Sequence, residues 1–244
     1  MNQILRYANR ILILLVLLLS SCELFQGDTG VTDTHIFLSS SISAVSTVLI
    51  YYPEDYSPTI PVIYLLNGGG TDAYAWGSGM DLAQEAYDRN LMFVSLSAGD
   101  NPYSNSLNNS NEQYDDYVLE VVSKVEKEYD VEIGYEQRAL CGISNGGGGA
   151  IYLLSVHPDT FIACGSLSGS VYSTLIDYEN FEGTSVRIDI GTEDDNLSPL
   201  RWLRDRLNGT EVQLEYFEHA GDHDWKFWRK WAPRQFDFLE DIIS

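Results

Sequence analysis

A rhythm in the chain restricts its fold more than any other feature. Short unbroken apolar runs at 47–52, 61–66, 91–96, 139–142, 161–167 and 186–190 are each followed by turn residues or a stretch of helical spacing. Runs that do not alternate polar with apolar belong to strands covered on both faces, as in parallel sheets clothed by helices. Residues 80–90 and 147–156 read as helices. Tyr114, Tyr117, Val118, Val121, Val122, Val125 and Tyr129 fall on one face of another, with Ser110 and Gln113 spaced for a capping box. Ser198-Pro199 reads as a helix start, 212–217 as the last strand and 225–243 as a final aromatic-rich helix. Strand–helix alternation of this kind predicts an α/β fold, a mostly parallel central sheet flanked by helices. In such sheets reactive side chains sit on loops at the carboxyl ends of strands.

One of those loops reads Gly142-Ile143-Ser144-Asn145-Gly146, between an apolar run and a helical segment. G-x-S-x-G in that context is a turn so tight that the positions two before and two after the Ser must lack side chains. It exposes the hydroxyl at a helix N-terminus, where the dipole and free N–H groups favour a developing oxyanion. Ser144 is therefore the candidate nucleophile. Its hydroxyl needs a base and the base an orienting acid, in the chain order Ser, acid, His. Only His219 and His223 follow the acidic loop at 193–195, both after the last predicted strand. His223, in the loop ahead of the final helix, is favoured. Glu193, Asp194 and Asp195 follow the preceding strand; Asp194 is the first choice of acid and Asp195 the second. His219, Asp222, His223 and Asp224 form the one group with metal-ligand chemistry, but no helix aligns them, and neither metal nor cofactor is expected. The oxyanion donors are expected from Asn145 N–H and from the glycine loop Asn67-Gly68-Gly69-Gly70, with Gly68 and Gly69 as candidates.

The segments YLLNGGG (64–70), RALCGISNGGGGAIYL (138–153), IDIGTEDD (188–195) and GDHDWKFWRKW (221–231) together resemble the esterase D-type "putative esterase" family, from about residue 45 to the end. That family includes feruloyl and other carbohydrate esterases, S-formylglutathione hydrolases and mycolyltransferases. The resemblance implies an α/β-hydrolase without a large lid, with Ser144 as nucleophile, Asp194 as acid, His223 as base, and oxyanion donors at Gly69 and Asn145. It departs from the family pattern at Asn67, where His is usual, and at Asn145, where an apolar residue is common. The activity implied is hydrolysis of short-chain or aromatic acyl esters, including those of carbohydrate, through an acyl-enzyme.

Two other readings compete. One is acyl transfer to a sugar or lipid alcohol, for which loop 97–111 and Trp76, Tyr103, Trp225 and Trp228 are candidate sugar contacts. The other is a non-catalytic surface-binding lipoprotein.

At the N-terminus, Arg6 and Arg10 precede the apolar run 11–19, which is too short to span a bilayer and suits a signal peptide. The run ends Ser20-Ser21-Cys22, as in bacterial lipoprotein signals, so residues 1–21 are expected to be removed and Cys22 lipidated. Residues 22–33 read as a tether and 34–244 as one esterase domain. The implied localisation is a membrane-anchored, exported lipoprotein of the periplasm or cell surface. Removal takes away two arginines and no acid, moving the formal net charge of −22 to −24. So acidic a surface disfavours nucleic-acid partners. Cys141 and Cys164 read as buried thiols in neighbouring strands, although a disulfide is open to an exported chain.

Overall fold

The computed structural model describes residues 30–244. The proposed signal peptide and Cys22 lie outside them. Eight strands form one sheet: β1 (Gly30–Ser39), β2 (Ala44–Pro53), β3 (Val62–Leu66), β4 (Met92–Leu96), β5 (Arg138–Ile143), β6 (Ala163–Leu167), β7 (Ser185–Gly191) and β8 (Gln213–His219). Their order is β1-β2-β4-β3-β5-β6-β7-β8. β1 and β2 pair antiparallel, as do β2 and β4, and every other pairing is parallel. The helices are α1 (Ala75–Gly79), α2 (Leu82–Arg89), α3 (Tyr114–Glu128), α4 (Asn145–Val156), α5 (Leu197–Leu207) and α6 (Trp225–Ile243). Among the described residues no helix is long and apolar enough to cross a membrane.

Two apolar cores cover the two faces of the sheet. Val62, Tyr64 and Leu66 of β3 face α3, α4 and α5, while Ile63 and Leu65 face α1, α2 and α6. This double burial is why the strands read as unbroken apolar runs. Each fully buried Leu, Ile or Phe contributes about 1.5–3 kcal/mol of transfer free energy to holding the layers together. The register pairs Leu140 with Cys164, so Cys141 points to the other face. Both cysteines are free and buried.

Three sequence readings need correction. Residues 30–33, assigned to the tether, are the start of β1: Val31 and Asp33 pair with Tyr52 and Ile50. Glycine begins the strand because a Cβ on Gly30 would lie 1.8 Å from the Ala83 carbonyl oxygen. Ser110 does not cap α3. Gln113 is the N-cap residue, and its side-chain Nε2 donates away from the helix to the carbonyls of Ser106 and Asn109 at 3.0 and 2.7 Å. Ser198 lies inside α5, whose N-cap is Asn196.

Candidate active site

The predicted nucleophile turn joins β5 to α4 at the carboxyl edge of the sheet. Ser144 sits between them at φ 53°, ψ −118°, a conformation that costs a non-glycine residue free energy and persists only when its surroundings enforce it. They do so here: Ser144 N–H donates to Leu167 O at 2.9 Å, and Ser144 O accepts from Ser170 N–H at 2.9 Å. The flanking glycines are obligatory. A Cβ on Gly142 would lie 2.1 Å from Gly146 O, and one on Gly146 would lie 2.2 Å from Leu66 O.

Ser144 Oγ lies 2.8 Å from His223 Nε2, and His223 Nδ1 lies 2.9 Å from Asp194 Oδ2. His223 precedes Asp224, the N-cap of α6, whose side chain accepts from Phe227 N–H at 2.8 Å. The Trp228 ring meets the imidazole edge-on, 5.1 Å between centroids. Asp194 is buried, and its other oxygen accepts from Asn196 N–H at 2.8 Å. Asn196 Nδ2 in turn holds Ser168 O at 3.1 Å. Glu193 and Asp195, on either side, are exposed. The acid and base loops are tied together by Thr192 N–H to His219 O (2.7 Å) and Glu193 N–H to Gly221 O (2.9 Å). Gly191 permits that approach, since a Cβ there would lie 2.3 Å from Gly221 O.

The glycine loop after β3 lies over the same turn. A Cβ on Gly68 would be 3.4 Å from Ser144 Cβ, and one on Gly69 would be 3.8 Å from Asn145 Cβ. Asn67 is buried, and its Nδ2 donates to Ser95 Oγ (3.0 Å) and Leu96 O (2.8 Å). It therefore braces the loop against β4. The buried Tyr103 hydroxyl donates to Asn67 O at 3.0 Å, gripping the peptide whose N–H belongs to Gly68. Burial pushes the Tyr103 hydroxyl pKa far up, so it remains a donor.

The structure thus brings together Ser144, Asp194, His223, Gly68, Gly69 and Asn145. It separates His219 from them: the His219 and His223 rings turn to different carboxylates, Asp189 and Asp194. Among the described residues no group of three or more His, Cys, Asp or Glu could hold a metal ion. Trp76 and Tyr103 are fully buried and cannot contact a sugar; Trp76 donates through Nε1 to Leu66 O at 3.2 Å. Trp228 is also largely buried, whereas Trp225 is partly exposed. Sequence reasoning missed Asn101, Tyr172 and Asn196, and gave Tyr103 a different role; all four act through contacts between loops distant in the chain.

The family model described as "Putative esterase" matches residues 39–235. Among curated proteins no match was found. Similar solved structures include a ferulic acid esterase, with a TM-score of 0.78 and 19% identity, covering 89% of this chain and 100% of that one. Another is FphF, a Staphylococcus aureus fluorophosphonate-binding serine hydrolase, with a TM-score of 0.75 and 18% identity, covering 86% and 98%. A third is the S-formylglutathione hydrolase FrmB from Staphylococcus aureus, with a TM-score of 0.74 and 17% identity, covering 88% and 98%. At these identities the structural likeness is one of fold, and it is the α/β-hydrolase fold. Because the family model spans most of the chain and its defining segments converge on one site, the chain belongs to the "Putative esterase" family and is a serine carboxylic-ester hydrolase.

Proposed function

We propose that the chain cleaves short-chain or aromatic acyl esters of carbohydrate through an acyl-enzyme on Ser144. The observation carrying this reading is the unbroken relay from Ser144 Oγ to His223 (2.8 Å) and from His223 to Asp194 (2.9 Å). As Oγ attacks the ester carbonyl carbon, its proton passes to His223 Nε2. The Nδ1–H bond to Asp194 holds the ring in that tautomer and stabilises the imidazolium. The Asn145 N–H and a glycine-loop N–H, Gly69 or Gly68, stabilise the tetrahedral oxyanion. His223 then returns the proton to the departing alcohol oxygen. Water, deprotonated by the same ring, cleaves the acyl-serine. Aromatic acyl groups are favoured by the likeness in fold to a ferulic acid esterase. The test is hydrolysis of p-nitrophenyl acetate and butyrate, followed by feruloylated and acetylated sugars, beside Ser144→Ala. Turnover that persists in Ser144→Ala would end this reading.

We also propose attachment to a membrane through a lipid on Cys22. β1 runs parallel to β3, which supports an arrangement in which Gly30 enters at the edge of the sheet opposite Ser144. An anchor eight residues before Gly30 would leave the catalytic edge facing away from the membrane, towards soluble or polymeric esters. A Cys22→Ala chain that still carries a fatty acyl group, or still fractionates with membranes, would overturn the anchor.

A further inference from the structure

We propose that the Asn145 side chain and the Tyr172 hydroxyl form a bridge that aims the Asn145 backbone N–H at the reacting carbonyl, which makes Tyr172 a positioning residue for the reaction. The inference rests on the esterase reading above and extends it to residues outside the triad.

Asn145 is the first residue of α4, so its N–H has no acceptor within the helix and is free to serve an oxyanion. A side chain at such a position ordinarily points to solvent. Here it is engaged at both ends. Nδ2 donates to Asn101 O at 2.9 Å, in the loop after β4, and Oδ1 accepts from the Tyr172 hydroxyl, in the loop after β6. The same hydroxyl lies 3.1 Å from the Asn145 carbonyl oxygen. Turning the amide over would set Oδ1 against the Asn101 carbonyl, so the partners fix its orientation. One side chain therefore clamps the peptide after the nucleophile between the two loops that flank it.

Tyr172 is itself held. Its ring meets Tyr152 of α4 in a T-shaped contact, 6.4 Å between centroids, and the Tyr152 hydroxyl donates to Asp115 at 2.9 Å. Burial pushes the Tyr172 pKa up to about 12, so the hydroxyl stays a donor wherever the esterase works. The clamp matters because an oxyanion donor contributes only when it sits within hydrogen-bonding distance of the charge as it develops. Ground-state ester binding does not use that bond, so loosening the clamp must slow turnover without weakening binding.

The experiment uses the full chain and three variants, Tyr172→Phe, Asn145→Leu and the double variant. Two rates are measured: p-nitrophenyl acetate turnover, and phosphonylation of Ser144 by an alkyl fluorophosphonate, which does not depend on the natural ester. Losing one neutral hydrogen bond predicts a fall of about tenfold in kcat for Tyr172→Phe, with KM within about twofold and phosphonylation slowed in parallel. Because the two side chains act as one unit, the double variant should be no slower than Asn145→Leu alone. Wild-type rates in Tyr172→Phe, a loss confined to KM, or additive losses in the double variant would each overturn the bridge. If Asn145→Leu does not fold, Tyr172→Phe, which deletes a single oxygen, still decides. A wild-type chain that is phosphonylated but turns over no ester would count against the esterase reading, and the ratio of phosphonylation rates would still judge the bridge.

Discussion

His219 turns its Nε2 onto Asp189 Oδ1 at 2.6 Å and stacks its ring on Trp231, with centroids 3.4 Å apart. Asp189 is fully buried and also accepts from Arg187 Nε (2.8 Å) and Gln235 Nε2 (2.7 Å). His219 is thus committed to satisfying a buried carboxylate beneath the acid loop. His219→Ala is expected to lower stability by about 1–3 kcal/mol in urea unfolding, since it removes one donor from a buried charge. Turnover of the folded fraction should stay within about threefold of wild type. His223→Ala should lower kcat by roughly a thousandfold or more with little change in stability. Equal kinetic losses in the two variants would refute this division of labour.

The adjacent acids offer a sharper contrast. Asp194 is buried against His223, while Asp195 is exposed. Asp194→Asn keeps the shape but not the tautomer control, and should cost roughly 10³–10⁴ in kcat. Asp195→Asn should leave p-nitrophenyl acetate kinetics within about twofold. The acid is misassigned if the large loss falls on Asp195.

The nucleophile turn leaves no room for a methyl group at its second glycine. Gly146→Ala would set a Cβ 2.2 Å from the Leu66 carbonyl oxygen, and that neighbour is backbone, which cannot swing aside. We expect destabilisation of about 1–3 kcal/mol or more, and loss of most activity because the turn and the glycine loop are pushed apart. Calorimetry beside kinetics checks both.

A pH dependence follows from the opposite end of α4. His157 caps that helix and bonds to Asp115, which raises its pKa above the ordinary histidine value, against an opposing contribution from burial. A folded pKa above the unfolded one means that the stabilisation is complete below about pH 6.5 and is lost as pH rises through the folded value. Thermal midpoints measured from pH 6 to pH 9 should therefore fall further for wild type than for His157→Gln. Parallel curves would show that the pair contributes nothing to stability.

Much of the site was legible because its chemistry demands particular residues at fixed spacing. Gly142 and Gly146 are forced by backbone contacts below 2.5 Å, so the motif marks the turn unambiguously. Spacing alone does not distinguish Asp194 from Asp195; only Asp194 is buried and lies against His223. β1 escaped notice for a physical reason. Its inward positions include Asp33, which takes hydrogen bonds from the Tyr52 and Tyr129 hydroxyls (2.6 and 3.1 Å), and His35, while Ile36 and Leu38 stand outward with 62% and 71% exposure. The alternation that announces a half-buried strand is broken there, since Val31 and Phe37 share the inward face with Asp33 and His35. α1 was missed because two of its five residues are glycine. The clamp at Asn145 joins residues 44 and 27 positions apart in the chain, beyond the reach of any local pattern.

Cys141 and Cys164, buried on opposite faces of the sheet, give this domain an internal clock. Neither sulfur can meet the other while the strands remain paired, and neither is open to a reagent in solvent. Each sulfur is reached only when its own helical layer lifts away. A Cys22→Ala chain with Cys141 or Cys164 also replaced by Ala, labelled in the native state, would therefore time the opening of one face independently of the other.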